Sequence, residues 1–271
     1  VLERILGRPV AIQNRPGAAA LIGTMQIANA MPDGHTITVA TTQLALLPAV
    51  DRVFGRPPTF TREQFAPIAR ISADPSMLFV NASQPWKTFK DLIDDAGKRP
   101  GQIVFASGGL YGTTHLAIEI MLKATGARMR HLPTAGGGPA LTAVLGNRAA
   151  LLAAHPAVGG PQARAGALRP IATMGAKRVA AFPDIPTLKE LGYDAQYYQW
   201  NGLFTQAKVP APIIKIWCDA VARAVKDPDF IKAMQKVGSG IDYLDRDEFR
   251  PWWDADSRTT ENAVRAIGKV Q

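Results

Sequence analysis

Cysteine is nearly missing from this chain: Cys218 is the only one in 271 residues. No internal disulfide can form, and cysteine usage gives no reading of redox compartment. Cys218 lies among Ile213, Ile214, Trp217, Val221 and Val225, a helical spacing that marks a core thiol rather than a nucleophile. No apolar run approaches the roughly 18 to 20 residues that span a bilayer, and the Ala/Leu stretch at 149–154 is far too short. No three basic residues are consecutive. The nearest approaches are Lys98-Arg99 and Lys177-Arg178, neither beside an aromatic that could stack a base, so no nucleic-acid partner is expected.

What is present fits a soluble α/β protein, with 47% hydrophobic and 20% charged residues. The length is that at which one core usually splits into two. The net charge of +9 is uneven, with thirteen Lys and Arg against seven Asp and Glu in residues 80–199, a mild attraction for anions in the middle of the chain. Val1 to Arg8 reads as the second half of an amphipathic helix ended by Gly7, so the native chain is expected to extend before Val1.

Strand and helix signals alternate. Asn14-Arg15-Pro16-Gly17 is a turn feeding an Ala-rich helix to about Ala30, and Pro32-Asp33-Gly34 turns into a strand over Thr36–Thr41. Ala66–Ile71 and Met77–Val80 form a long extended segment able to pass from one lobe to another. Thr88 caps a helix carrying Phe89, Leu92, Ile93 and Ala96. Strands are predicted over Ile103–Ala106, Met129–Leu132 and Pro170–Met174, in a mostly parallel sheet. Tyr197–Phe204 is a second extended run, placed to return to the first lobe. The end is helical, with Pro210–Val225, an Asp227-Pro228 start and an Asp245-x-x-Glu248 capping box.

The stretch Ser107-Gly108-Gly109-Leu110-Tyr111-Gly112-Thr113-Thr114-His115 follows a strand and opens a helix that Gly126 ends. Glycines admit a ligand close to the backbone, and the free N–H groups of a first helical turn attract an anion. Thr134-Ala135-Gly136-Gly137-Gly138-Pro139 repeats this pattern one β-α unit later, and Thr41, Thr42 and Gln43 follow the strand ending near Ala40. Ligands of open parallel sheets bind at such carboxyl-terminal loops; an ordinary strand-to-helix turn is the plain alternative for each. Kinase or GTPase chemistry is not expected, because Thr113 stands where a phosphate loop needs Lys and Gly108-Gly109 make no G-x-G-x-x-G. A Ser107–His115 hydrolase pair lacks a G-x-S-x-G elbow. His115, Glu119 and Lys123 share a helix face, which reads as a solvated polar stripe, since a zincin needs a second His four residues away. No metal or cofactor is expected.

Seven segments in register resemble the Bug-type substrate-binding proteins of tripartite tricarboxylate transporters: Asn14–Ala18 with Ile22-Gly23-Thr24, Pro32–Thr36, Phe65–Ile68, Ser107–Glu119, His131–Pro133 with Gly136–Leu141, Phe182–Thr187, and Trp200–Leu203. The resemblance implies a type II periplasmic-binding-protein fold, two α/β lobes joined by two crossing strands with a ligand cleft between them, here residues 1–79 plus 200–271 and residues 80–199. It implies a periplasmic, monomeric solute receptor with no enzymatic activity, made with a signal peptide that is removed, which closes on a small carboxylate and delivers it to the transporter's membrane subunits. A strand and glycine-rich loop preceding Val1 would supply part of the grip. Carried onto this chain, the ligand-binding set is Thr41, Thr42, Gln43, Ser107, Gly108, Gly109, Gly112, Thr113, Thr114, His115, Thr134, Gly136 and Gly137. Where the family often has a cation and an aromatic, this chain has Thr134 and Ala135, and Ala149-Ala150 replaces a common Val-Asp pair; both imply a less polar distal pocket. The alternative with the same fold is the effector-binding module of a transcriptional regulator, and a third reading is an enzyme acting on a carboxylate or phosphate ester at the same loop.

Overall fold

A computed structural model describes residues 1–15 and 17–269. The chain divides into two compact units, Val1–Ala73 with Trp200–Gln271 and Asp74–Gln199. Pro16 of the expected Asn14–Gly17 turn lies outside the described residues.

In the first unit α1 (Leu2–Leu6) stops at Gly7, whose φ of 65° is the left-handed cap a glycine supplies. The Ala-rich segment is not one helix to Ala30. Ala20 sits at φ 74°, so a 3₁₀ turn at Ala18–Ala20 is set off from α2 (Leu21–Ala28). β1 (Ile37–Ala40), α3 (Gln43–Val53) and β2 (Phe65–Pro75) follow. The chain passes into the second unit at the end of β2.

That unit contains β3 (Met77–Asn81), α4 (Phe89–Lys98), β4 (Val104–Ser107), α5 (Thr113–Thr125), β5 (Arg130–Pro133), α6 (Gly137–Leu145), β6 (Leu151–Ala154), α7 (Pro156–Arg164) and β7 (Leu168–Thr173). Thr88 and Asp91 form a capping box at the start of α4. Sheet order is β5-β4-β6-β3-β7. β4 is parallel to β5 and β6, whereas β3 is antiparallel to both β6 and β7. Four of the five strands therefore share a direction, as a mostly parallel sheet requires, and β3 alone runs against them. Its core joins Met77, Phe79, Ala106, Ala140, Val144 and Leu152.

β8 (Tyr198–Gln206) carries the chain back, followed by α8 (Ala211–Ala224), α9 (Pro228–Val237) and α10 (Arg246–Ile267). The first unit's sheet has the order β1-β8-β2, with Ile37 opposite Thr205 and Ala40 opposite Gly202. Trp200, Phe204, Phe249 and Trp253 meet edge-on or tilted as its aromatic centre, with Leu44, Phe60 and Phe65. Asp227 and Asp245 accept first-turn N–H bonds of α9 and α10, and Asp245 forms the expected box with Glu248. Cys218 is half-buried against this unit's second core cluster rather than fully enclosed, and burial raises its thiol pKa.

Candidate functional site

Because β4, β5 and β6 are parallel, the junctions leading from them into α5, α6 and α7 lie at one rim of the sheet. At the first junction Gly112 caps α5 in an extended conformation and offers no side chain. The amides of Thr113, Thr114 and His115 thus begin the helix without an acceptor inside it. The loop is held from within. The Thr114 hydroxyl accepts the Gly108 N–H at 2.9 Å, and Gly112 N–H donates to Gly109 C=O at 3.0 Å. Tyr111 adopts φ 53°, unusual for an aromatic residue, and its N–H donates to His115 Nδ1 at 3.1 Å.

Beneath the loop three rings stack: Phe105 on His131 at 4.9 Å between centroids, and His131 on His115 at 4.1 Å. The Ser107 hydroxyl lies 2.7 Å from His131 Nε2, 3.0 Å from Gly109 C=O, and accepts the Gly109 N–H at 3.2 Å. Burial first, then the proximity of His115, lowers the His131 pKa from 6.5 to about 4, so the imidazole is neutral at neutral pH. His115 Nε2 is 3.2 Å from Glu119 Oε1. Ser107 and His115 are 0% and 1% exposed; their side chains face the interior and frame the loop. The solvated stripe expected on α5 is corrected accordingly, because His115 turns into the ring stack and only Lys123 is exposed.

The second junction packs directly on the first. A Cβ on Gly108 would lie 3.2 Å from the Gly136 carbonyl carbon and 3.2 Å from the Gly137 nitrogen, so glycine at 108 is what lets the two loops touch backbone to backbone. Gly136, at φ 153°, caps α6 without a side chain. The Thr134 hydroxyl is shared between Ser107 C=O at 2.9 Å and Gly136 C=O at 2.8 Å, fastening one loop to the other. Two adjacent helices therefore start without a side-chain cap. The third junction differs: His155 Nδ1 accepts the Ala157 N–H, and its Nε2 lies 2.7 Å from Asp74 Oδ2. An anion placed at the first two junctions would meet main-chain N–H groups and two positive helix ends with no cationic side chain required.

Thr41, Thr42 and Gln43 belong to the first unit, at the start of α3. Gln43 Oε1 accepts from the Thr41 N–H at 2.8 Å and from its hydroxyl. The Thr42 Oγ1 is buried and has no hydrogen-bond partner among the described residues. The remaining candidates, Ser107 to His115 with Thr134, Gly136 and Gly137, are gathered at one rim of the second unit.

The description "Tripartite tricarboxylate transporter family receptor" fits residues 1–268 as a sequence family. The chain belongs to this receptor family. Protein BugT of Bordetella pertussis is 33% identical over 199 residues, 71% of this chain and 59% of BugT. Two solved structures share the fold. Rpa4515 of R. palustris with adipate is 24% identical, with a TM-score of 0.89 over 98% of this chain and 89% of that one. MatC of Rhodopseudomonas palustris with bound malate is 21% identical, with a TM-score of 0.87 over 97% and 90%.

In this receptor, spacing alone did not expose His131 or His155 as parts of the loop framework. His131 meets Ser107 only through the β4–β5 register, which sets Ser107 beside Pro133 and Phe105 beside His131. His155 carried a readable signal, an apolar run followed by His-Pro, which places a capping side chain before a proline at the first helical position. Among the described residues no helix is long and apolar enough to cross a membrane, and no group of three His, Cys, Asp or Glu side chains could hold a metal ion.

Proposed function

We propose that this chain is a periplasmic receptor that holds a small carboxylated solute on the uncapped starts of α5 and α6, with Thr42 and Gln43 of the first unit meeting the rest of the solute. The lobes, residues 1–79 with 200–271 and residues 80–199, close on it by bending where β2 and β8 link them, and the loaded receptor delivers it to the membrane subunits of a tripartite tricarboxylate transporter. The observation carrying this reading is the backbone contact of Gly108 with Gly136 and Gly137, which brings together two helix starts that lack a side-chain cap. Adipate in Rpa4515 and malate in MatC support a carboxylate as the solute class. With Thr134 and Ala135 at the second loop, the distal part of the solute meets no charge, which favours acids with a weakly polar body.

Calorimetry and thermal shift with a panel of aliphatic and aromatic mono- and dicarboxylates test this. Saturable heat from at least one acid, absent for its amide, is the expected result. Silence across the panel, using protein with its native N-terminus, would overturn it.

A further inference from the structure

We propose that the opposite rim of the second unit is a contact surface for anionic lipid headgroups. β4, β5, β6 and β7 point the same way, so the segments leading into them share one rim. The register shows this: Val104 lies beside Arg130, Phe105 beside Leu151, and Asn81 beside Leu168. On these segments stand Lys98, Lys123, Arg128, Arg130, Arg148 and Arg164, all exposed and without an ion-pair partner among the described residues.

The carboxylates on the same rim belong to α4 and are engaged. Asp91 accepts the Lys87 and Thr88 N–H groups, Asp94 pairs with Lys90, and Asp95 takes Arg99 and the Trp86 indole. Lys98, Lys123 and Arg164 sit in the last turns of α4, α5 and α7, where a cation offsets the negative helix end. Arg128, Arg130 and Arg148 lie outside the helices and have no such local role. Arg130 opens β5, an edge strand that pairs with β4 alone among the described residues.

The chemistry of the rim selects the partner. Protein interfaces draw their energy from buried aromatic and aliphatic anchors. The unit's exposed large apolar side chains are Leu110, in the first glycine loop, Val158, at the start of α7 on the same rim as that loop, and Leu191, beyond β7; none is on the basic rim. Five strands at about 4.8 Å spacing make a row roughly 20 Å wide, broad enough for several headgroups. Lys and Arg near an anionic surface strengthen adsorption roughly fivefold each, with strong salt dependence. The surface is separate from the glycine loops, so this inference stands whether or not a carboxylate is the solute.

Vesicle flotation tests it, comparing phosphatidylcholine vesicles with and without phosphatidylglycerol, at low and high salt. The wild-type chain is expected to float only with the anionic vesicles and to be released by salt. The R128Q/R130Q/R148Q variant is expected to lose on the order of a hundredfold in partition, while the control K177Q/K189Q, on exposed cations away from the rim, keeps it. Each variant is checked by its unfolding midpoint, and R148Q alone, expected to lose roughly fivefold, serves if the triple variant is unstable. No phosphatidylglycerol-dependent binding at low salt, or equal loss in the control, overturns the proposal. Binding to soluble polyglutamate without binding to vesicles also overturns it, assigning the rim to an acidic protein instead.

Discussion

The Ser107 hydroxyl and His131 Nε2 lie 2.7 Å apart across neighbouring parallel strands. With Ser107 at 0% exposure and its oxygen also bonded to Gly109, the pair fastens the floor of the glycine loop.

Stability is expected to fall in acid because of His131. Its pKa is 6.5 unfolded and about 4 folded, so between those values the unfolded chain binds the extra proton. Unfolding free energy then drops as pH falls from about 6.5 to about 4, by less than the full linkage value because the half-buried ring is partly screened by solvent. Urea titrations at neutral and mildly acidic pH should show this slope in the wild type and a flatter one in His131→Gln.

Asp256 is expected to act in the opposite direction. Burial raises its pKa from 3.8 to about 6, although Trp200 Nε1 donates to it at 2.9 Å. The folded form holds the extra proton, so this contribution to stability is present below about 3.8 and lost as pH rises through about 6. Asp256→Asn keeps an acceptor for the indole without the buried charge. It should raise stability near neutral pH by about 1–2 kcal/mol and change little near pH 4; an unchanged or lower midpoint at neutral pH would contradict the assignment.

Two glycine-to-alanine changes should separate binding from folding. Gly108→Ala forces the two loops apart by a few tenths of an ångström, and we expect at least tenfold weaker solute binding with little loss of stability. Gly159→Ala would put a methyl 2.4 Å from the buried Phe79 ring, which should cost about 1–3 kcal/mol in unfolding and leave the affinity of the folded fraction intact. Calorimetry and denaturant midpoints on both variants provide the comparison.

His115→Phe preserves a ring in the stack with Phe105 and His131 but removes the acceptor for the Tyr111 N–H. An N–H left buried and unpaired costs about 1–3 kcal/mol. Faster amide exchange at residues 108–112, with slow exchange retained in α10, is the expected signature.

Much of this architecture was legible because its signals are local. Gly112 and Gly126 bracket α5, Thr88 with Asp91 starts α4, and Asp245 with Glu248 starts α10. What escaped depends on partners distant in the chain. The reversal of β3 is invisible because an apolar run carries no direction. β6, the four residues Leu151–Ala154, is made of two Leu and two Ala, a composition that favours helix, and becomes a strand by lying between β4 and β3. The glycine loops were readable as sparse side chains before a helix, but their mutual contact was not, since Gly108 and Gly136 are neighbours only once β4 and β5 are paired.

The helix starts at Gly112 and Gly136 offer amide hydrogens that every residue type except proline possesses. Under the proposed function a substitution that keeps the backbone path leaves this donor in place, but Gly108 and Gly136 are held to glycine by the contact between the loops and by a φ of 153°. On that reading the grip is fixed by backbone shape and the preference among acids by the side chains around it, so relatives sharing this backbone would differ in the acid they prefer.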